Sequence, residues 1–498
     1  MNVNPITRLD YPDPDVIRVE DTYYMVSTTM HFMPGCEILQ SFDLVHWEHV
    51  TYVYETLDHT DAQQLKSGQN IYGQGMWAAS LRYHEGRFCI CFVANDTRKT
   101  YLYTSEKIDG PWKKQLIEGF YHDGSLLFDE DGRNYIVYGN DEIWITELNE
   151  DLTAPKKDGL HRLLVSDHKN PELGYEGSHI QKINGYYYIF LIHSLRDRWM
   201  RTEACFYSDS LEGEFTGGDV LCDDRGYCGQ GVAQGGIVDT PDGKWYAMLF
   251  QDSGAVGRIP ILVPVTWKDH FPVFGQNGHV PEEIEVHSTR PGYIYQPLVG
   301  SDDFCNGLLP HWQFNHDPDP RYYHLDALQG TYTITTREVC TELTQAVNTL
   351  TQRMGYPSCA AEVTVDASAL KEGDVAGLCA LQSCYAAVGI TKHHGKYEVL
   401  MLDKKEDGIL DMTEGTVVES HQMDFRLEAD FCNMKDEARC YYRVNKGDWL
   451  PIGTVHKLYF KLDHFTGCRF GLFCYAAEET GGSACFRDFK YYDVDEIS

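Results

Sequence analysis

The chain of 498 residues lacks the usual marks of a membrane-bound or nucleic-acid-binding protein. No apolar run approaches the ~20 residues that span a bilayer. Basic residues are scarce, since 42 Lys and Arg stand against 75 Asp and Glu, for a net charge of −33. Such a surface repels nucleic acid and anionic membranes. We therefore expect no nucleic-acid and no membrane partner, and a small neutral substrate.

Cysteine is also too scarce for a disulfide scaffold. Sixteen cysteines in 498 residues lie well below the ~8–10% typical of that class. Residues 1–16 show no basic region followed by an apolar stretch, so no signal peptide is predicted. We expect reduced thiols in a cytoplasmic protein. The sequence leaves the oligomeric state open, a homo-oligomer included.

Long helical periodicities are missing too, and a repeated hairpin pattern takes their place. Five segments carry alternating apolar residues, a turn and an aromatic-rich strand: PDVIRVEDTYYMV, SLRYHEGRFCICF, SLLFDEDGRNYIVY, HIQKINGYYYIFL and IVDTPDGKWYAMLF. Their predicted turn positions are Thr22, Gly86, Gly132, Gly185 and Gly243. Five such units of about four strands each predict an all-β fold whose first part is a five-bladed β-propeller.

The pattern changes after residue 300. Residues 280–300 contain no hairpin unit and three prolines, and are predicted to be a linker. Beyond them, short strand-like runs are separated by turns of about 5–12 residues, which is typical of an antiparallel β-sandwich. The predicted domains are therefore a propeller over residues 1–299 and a sandwich over residues 301–498.

One position in each hairpin unit carries the functional argument. Counting nine residues back from each predicted turn gives Asp13, Trp77, Asp123, Glu176 and Gln234. A constant offset indicates equivalent places, so these side chains should converge on the propeller axis. An isolated Asp before Pro or Gly is commonly a turn former. Three carboxylates at one register repel each other, however, which favours a functional cluster.

Paired carboxylates acting on a neutral substrate point first to glycoside hydrolysis, in which one protonates the leaving oxygen and the other activates water. A third acid would orient the proton donor and raise its pKa. A Ca²⁺ or Mg²⁺ site is the competing chemical interpretation, although no DxDxDG-type loop is present. A non-catalytic carbohydrate-binding propeller and a scaffold for protein partners are further alternatives.

Several segments carry a family resemblance. YPDPDVIRVEDTYYMVSTT, HDGSLLFDEDGRNYIVYG, GYEGSHIQKINGYYYIF and GGIVDTPDGKWYAMLF resemble glycoside hydrolase family 43, whose members are five-bladed propellers acting as β-xylosidases and α-L-arabinofuranosidases. The segments at 302–304, 350–353, 373–378 and 464–473 resemble the concanavalin-like sandwich of the family's β-xylosidases.

The resemblance implies a role for each acid. Asp13 would be the general base, Asp123 the acid that tunes and orients, and Glu176 the general acid of an inverting, exo-acting glycosidase. The expected products are terminal β-D-xylose, α-L-arabinofuranose or both, released from xylo- and arabino-oligosaccharides.

The resemblance also implies substrate-binding residues. Arg258 would hold sugar hydroxyls, Trp77 and Phe32 would line the pocket, and Phe465, on a sandwich loop, would help to close it. A surface arginine and simple core packing are the alternative interpretations of these positions.

Metal binding is left open by the resemblance. Many relatives have His at or beside the position of Gln234, where it binds a central Ca²⁺, whereas an amide stands here. No cofactor is expected to be required, and a Ca²⁺ near Gln234 is a possibility. Asp302, Asp303 and Asp488 are candidates for a structural Ca²⁺ site, with charged turns as the alternative.

Overall fold

The computed structural model describes residues 2–413 and 415–493 and consists almost entirely of strands. The helices in this part of the chain are four short 3-10 turns: Lys66–Gly68, Gly254–Val256, Leu343–Gln345 and Cys432–Met434. None of these helices has the length or the apolar character needed to cross a membrane.

Residues 15–274 form five antiparallel sheets, which are the blades of the propeller. Blade one and a short strand that leaves it are β1 (Asp15–Val19), β2 (Thr22–Val26), β3 (Phe32–Met33), β4 (Gly35–Ser41) and β5 (Glu48–Tyr54). Blade two is β6 (Met76–His84), β7 (Arg87–Ala94), β8 (Lys99–Ser105) and β9 (Lys113–Ile117). Blade three is β10 (Ser125–Phe128), β11 (Asn134–Asn140), β12 (Glu142–Leu148) and β13 (His161–Ser166).

Blades four and five complete the ring. Blade four is β14 (Glu176–Ile183), β15 (Tyr186–Ser194), β16 (Arg201–Ser208) and β17 (Thr216–Leu221). Blade five is β18 (Val232–Ala233), β19 (Ile237–Asp239), β20 (Trp245–Asp252), β21 (Arg258–Lys268) and β22 (Phe271–Phe274). Neighbouring blades bury their alternating apolar residues against each other, as in the cluster of Phe190, Ile261 and Ala247 between blades four and five.

The inner hairpins form as their turn residues predict, with one correction. Asn184 and Gly185, at φ 52° and 84°, make the two-residue left-handed turn of blade four, which matches the twist of paired strands. In blade one the turn is Glu20–Asp21, and the predicted turn residue Thr22 is instead the first residue of β2. The prediction that Thr22 is a turn residue was wrong, because the blade-one turn contains no glycine to mark its position in the sequence.

Two sheets of the second domain pack face to face as a sandwich. The larger sheet has the order β3-β23-β26-β36-β28-β29-β30-β31, with β32 also on β30, and the smaller has the order β24-β25-β37-β27-β33-β34-β35. Their strands are β23 (Gln313–Asn315), β24 (Tyr323–Asp326), β25 (Thr331–Thr335), β26 (Leu350–Arg353), β27 (Ser358–Asp366), β28 (Val375–Leu381), β29 (Ala386–His393), β30 (Lys396–Lys404), β31 (Leu410–Met412), β32 (Thr416–Val418), β33 (Gln422–Asp430), β34 (Glu437–Val444), β35 (Leu450–Lys457), β36 (Arg469–Tyr475) and β37 (Ser483–Asp493).

The two domains share a sheet. Strand β3 of the propeller pairs with β23 of the sandwich, with Phe32 opposite Asn315. Beside this pairing, Arg353 of the sandwich binds Glu37 of the propeller at 2.8 Å, and both side chains are almost fully buried. Burial alone would raise the pKa of Glu37, but Arg353 and His49 outweigh it and lower the pKa to about 2. A shared strand pair and a buried ion pair hold the sandwich in one position on the propeller.

Candidate active site

Each blade places one residue in the left-handed backbone region at the same end of the axis. These residues are Asp13 (φ 53°), Ala78 (24°), Asp123 (49°), Gly177 (63°) and Gln234 (64°). Asp13, Asp123 and Gln234 are therefore equivalent, as predicted. Trp77 and Glu176 each precede the equivalent residue by one, because Gly86 and Gly185 are the second residues of their turns, whereas the count in blade one began at Thr22, the first residue of β2.

The residues that precede three of these positions meet above the axis. They are Trp77, His122 and Glu176, one from each of three consecutive blades. The ring centres of Trp77 and His122 lie 6.1 Å apart, and His122 Nε2 lies 3.5 Å from Glu176 Oε2. Glu176 and Trp77 therefore lie at the same level as His122, which the sequence did not single out.

Two residues further along, a second ring of side chains joins the blades. Asp15 accepts a hydrogen bond from Leu81 N at 2.7 Å, and Ser80 Oγ accepts one from Leu126 N at 3.1 Å. Arg82 bridges Asp15 at 2.8 Å and Ser125 at 2.7 Å. The acids above therefore sit on a rigid, hydrogen-bonded layer.

Asp13 is buried, and donors occupy both of its oxygens. Thr28 Oγ1 donates to Oδ2 at 2.6 Å, and Arg258 Nη1 donates to Oδ1 at 3.0 Å. Thr28 also accepts a bond from Ala78 N at 2.8 Å, which ties blade one to blade two beside Trp77. Donors on both oxygens suit a carboxylate that accepts a proton only during reaction.

His122 lies between the other two acids. Its Nε2 is 3.5 Å from both Asp123 Oδ2 and Glu176 Oε2. The negative charge of Asp123, followed by that of Glu176, raises the pKa of His122 to about 9, although burial opposes this. The imidazole is therefore protonated at neutral pH and offsets the repulsion between the two carboxylates.

Asp123 and Glu176 have different surroundings. Asp123 is buried and accepts a bond from Gly177 N at 2.8 Å. Its pKa is raised to about 6, mainly by burial, with Glu176 and Asp13 adding to the rise and His122 opposing it. The Glu176 side chain is 19% exposed and accepts a bond from Asn140 Nδ2 at 2.7 Å. Glu176 is thus the acid that a substrate can reach.

An aromatic and cationic wall closes one side of this cluster. The guanidinium of Arg258 stacks 4.3 Å from the ring centre of Phe465, which lies 5.4 Å from that of Trp77. Arg258 Nε, Arg258 Nη2 and Trp77 Nε1 are buried and bind no acceptor among the described residues. These donors are free to bind a ligand that offers oxygen acceptors.

Phe32 is positioned differently from the other predicted pocket residues. It is 1% exposed and lies on β3, with the guanidinium of Arg469 3.4 Å above its ring centre. The structure places it at the junction of the domains rather than on an open surface, and its contact with substrate stays a prediction.

Asp10 connects the Phe465 loop to Arg258. Its Oδ1 accepts a bond from Arg258 N, and its Oδ2 one from Gly467 N, each at 2.8 Å. A Cβ on Gly257 would lie 2.3 Å from Asp10 Oδ1, and one on Gly467 would lie 2.2 Å from Val256 O. Both positions therefore require glycine, and the loop is seated closely on the propeller.

Gln234, a predicted metal position, is buried, and its backbone N–H donates to Glu203 at 2.7 Å. Burial raises the pKa of Glu203 well above its usual range, which disfavours the ionised form that binds a metal. His122, Asp123 and Glu176 cluster closely enough for a metal, which would have to displace the proton from His122.

The Asp302 site is likewise occupied by protein donors. The Asp302 carboxylate accepts bonds from Phe304 N at 2.7 Å and from Trp312 Nε1 at 2.8 Å. Asp303 accepts one from Cys305 N at 2.9 Å. These bonds are those of a structured turn, which was the alternative interpretation of these residues.

Comparison with known proteins identifies relatives of both domains. The model of "Glycosyl hydrolases family 43" matches residues 3–272, and that of "Beta xylosidase C-terminal Concanavalin A-like domain" matches residues 301–492. A β-xylosidase of Formosa agariphila is 26% identical over 99% of this chain and 89% of its own length. A non-reducing end α-L-arabinofuranosidase of Bacteroides ovatus is 25% identical over 66% of this chain and 63% of its own.

A solved structure resembles the whole chain. It is a bifunctional GH43-CE protein of Bacteroides eggerthii, with a TM-score of 0.92 and 42% sequence identity over 99% of this chain. The present chain spans 63% of the length of that protein. The likeness confirms the predicted propeller and sandwich in their order along the chain.

Proposed function

Because this chain belongs to glycoside hydrolase family 43, we propose that it is an exo-acting glycosidase that releases terminal pentoses with inversion of configuration. The proposed substrates are xylo- and arabino-oligosaccharides, since the relatives above are a β-xylosidase and an α-L-arabinofuranosidase. Terminal xylopyranose and arabinofuranose present similar hydroxyl positions, so we expect both activities. The observation that carries the proposal is the convergence of Asp13, Asp123 and Glu176 from three blades.

The contacts of the acids suggest their roles. Asp13, with both oxygens bound by donors, takes a proton from the water that attacks the anomeric carbon. Glu176, the more exposed acid, gives a proton to the oxygen of the leaving sugar. The charges of Asp123 and His122 lie beside Glu176 and influence its proton affinity. Asp123 also accepts a bond from Gly177 N, next to Glu176 in the chain.

The sandwich supports an exo mode of action. Phe465 comes from the second domain and stacks against both Arg258 and Trp77. We propose that this wall stops a chain from continuing past the terminal sugar. The expected products are single pentoses.

The proposal is tested by NMR of the first products. The protein is incubated with xylobiose and, separately, with arabino-oligosaccharides, and the released sugar and its anomer are recorded before mutarotation. We expect free pentose with inverted configuration. A retained anomer would contradict the mechanism, and no release from either substrate would contradict the function.

We also propose that catalysis needs no metal. The carboxylates supply both the acid and the base, and the burial of Glu203, whose carboxylate binds Gln234 N, disfavours the charged oxygen that a cation prefers. EDTA should leave kcat unchanged. A loss that Ca²⁺ restores would instead support an ion near Gln234 that tunes the acid cluster.

A reducing, cytoplasmic location is a further part of the proposal. All sixteen cysteines are free, and ten of them are buried. Buried unpaired thiols are typical of proteins kept in a reducing compartment. Fractionation of the native host with an antibody against the protein would test this location.

A further inference from the structure

Trp199 is an unusual surface residue of the propeller. It is 45% exposed and lies in the segment 195–200, which joins β15 to β16 in blade four. Large aromatic side chains normally bury most of their area. Trp199 therefore leaves a broad apolar face in water.

The strand register places this segment at the active-site end of the propeller. Glu176 pairs with Ile192, and Ser194 pairs with Arg201. The segment 195–200 thus begins three residues beyond the partner of Glu176. It forms part of the rim beside the proposed proton donor.

A stack of alternating cations and rings connects Trp199 to the acids. The guanidinium of Arg201 lies 5.1 Å from the Trp199 ring centre and 5.2 Å from that of Phe250. Phe250 in turn lies 5.4 Å from the guanidinium of Arg258. Arg201 is fixed by Asp252, whose Oδ2 accepts a bond from its Nε at 2.5 Å. The exposed indole therefore rests on an ordered support.

The strand contacts of the sandwich lie on blades other than the one that carries Trp199. The sandwich pairs with β3 beside blade one and reaches blade five, where Cys468 N bonds to Ala255 O at 2.8 Å. No strand of blades three or four pairs with the sandwich in the described part of the chain. With Phe465 behind the terminal sugar, the rest of an oligosaccharide would leave over Glu176 and toward Trp199.

We propose that Trp199 is a binding platform for a sugar ring on the leaving-group side of the cleaved bond. The ligand is a neutral, β-linked pyranose oligosaccharide, whose apolar ring face stacks on the indole. The proposal rests on the glycosidase function above and adds a specificity-determining residue. Because one cation and one ring, Arg201 and Phe250, separate Trp199 from Arg258, the platform serves longer substrates more than short ones.

The test compares kcat/KM for xylotetraose, xylobiose and an aryl β-xyloside. Trp199→Ala should lower the ratio of xylotetraose to aryl xyloside activity by about three- to tenfold, and Trp199→Phe should retain most of the ratio. Tyr83→Ala is the matched control, because Tyr83 is also 45% exposed but lies at the turn end of β6, away from Trp77. This control should leave the ratio unchanged.

An unchanged ratio in Trp199→Ala would overturn the platform. This holds whether activity is retained on all three substrates or lost equally on all of them, as a merely structural role would produce. A wild-type protein inactive on all three would instead contradict the glycosidase proposal itself. The two failures are therefore distinguishable.

Discussion

Two buried carboxylates, Asp15 at the lower level of the propeller axis and Asp123 at the upper level, differ in the sign of their pKa shift. Burial raises the pKa of Asp15, but Arg82 and His179 outweigh it and the pKa falls below its usual value. At Asp123, burial together with Glu176 and Asp13 outweighs His122, and the pKa rises to about 6. At the lower level, the charge of Asp15 is neutralised by Arg82 and by hydrogen bonds that join the blades. The upper level keeps its carboxylates close together, which is the arrangement that acid–base chemistry requires.

The largest expected effect is on activity at the upper level. Asp13→Asn removes the acceptor that activates water, so kcat should fall by about 10³-fold or more on every substrate. The variant should remain folded, since an amide can still accept a bond from Arg258. Activity assays and circular dichroism would check both points. A fall of less than tenfold would show that Asp13 is not the base.

The matching change at the lower level should affect stability instead. Asp15→Asn leaves Arg82 buried without its ion-pair partner, which should cost about 3–5 kcal/mol of unfolding free energy. The kcat of the protein that remains folded should change little. Urea unfolding followed by fluorescence would measure the loss. An Asp15→Asn protein with wild-type stability but lost activity would show that the lower level does not have the structural role assigned to it.

His122 should stabilise the protein in a pH-dependent way. Its folded pKa of about 9 lies above the ~6.5 of an unfolded histidine, so its contribution is fully present below pH 6.5 and is lost as the pH rises through 9. His122→Asn should lower the unfolding free energy by about 1–3 kcal/mol at pH 6.5. The difference from wild type should shrink toward pH 10, and a difference that grows with pH would contradict the assigned charge.

The smallest effect is expected at Asp10, which acts through the loop it holds. In Asp10→Asn one of the two N–H donors faces an NH₂ group, and kcat/KM should fall by about tenfold. If Asp10 serves to position Phe465, its effect should largely disappear in the Phe465→Ala background. Independent, additive losses in a double-mutant cycle would show that Asp10 acts on something else.

Much of the propeller could be predicted because the chain repeats a local pattern. Strand alternation and glycine turns are determined by residues close in sequence, so the sequence alone predicts them. Asp13 and Asp123 lie at the predicted register. Counting failed by one residue at Trp77 and Glu176, because the blade-one turn has no glycine and the count there began one residue late, at Thr22. His122 lies one residue before Asp123, at the level of Trp77 and Glu176, and was therefore missed.

Other parts of the site depend on contacts between residues distant in sequence. Asp10 meets Gly467 only because the sandwich docks on the propeller, and no periodicity reports such a contact. The pairing of β3 with β23 likewise joins two domains that the sequence shows as separate. The family resemblance identified Phe465 and Arg258, and the structure adds the stack that links them.

The central claim is that Glu176 is the proton donor and Asp13 the base, and leaving-group kinetics test it most directly. An aryl xyloside with an acidic phenol departs with little help, whereas xylobiose must expel a sugar alkoxide. Glu176→Ala should therefore impair xylobiose hydrolysis far more than aryl xyloside hydrolysis, while Asp13→Ala impairs both alike. Equal losses for Glu176→Ala, together with a leaving-group bias for Asp13→Ala, would show that the two roles are reversed.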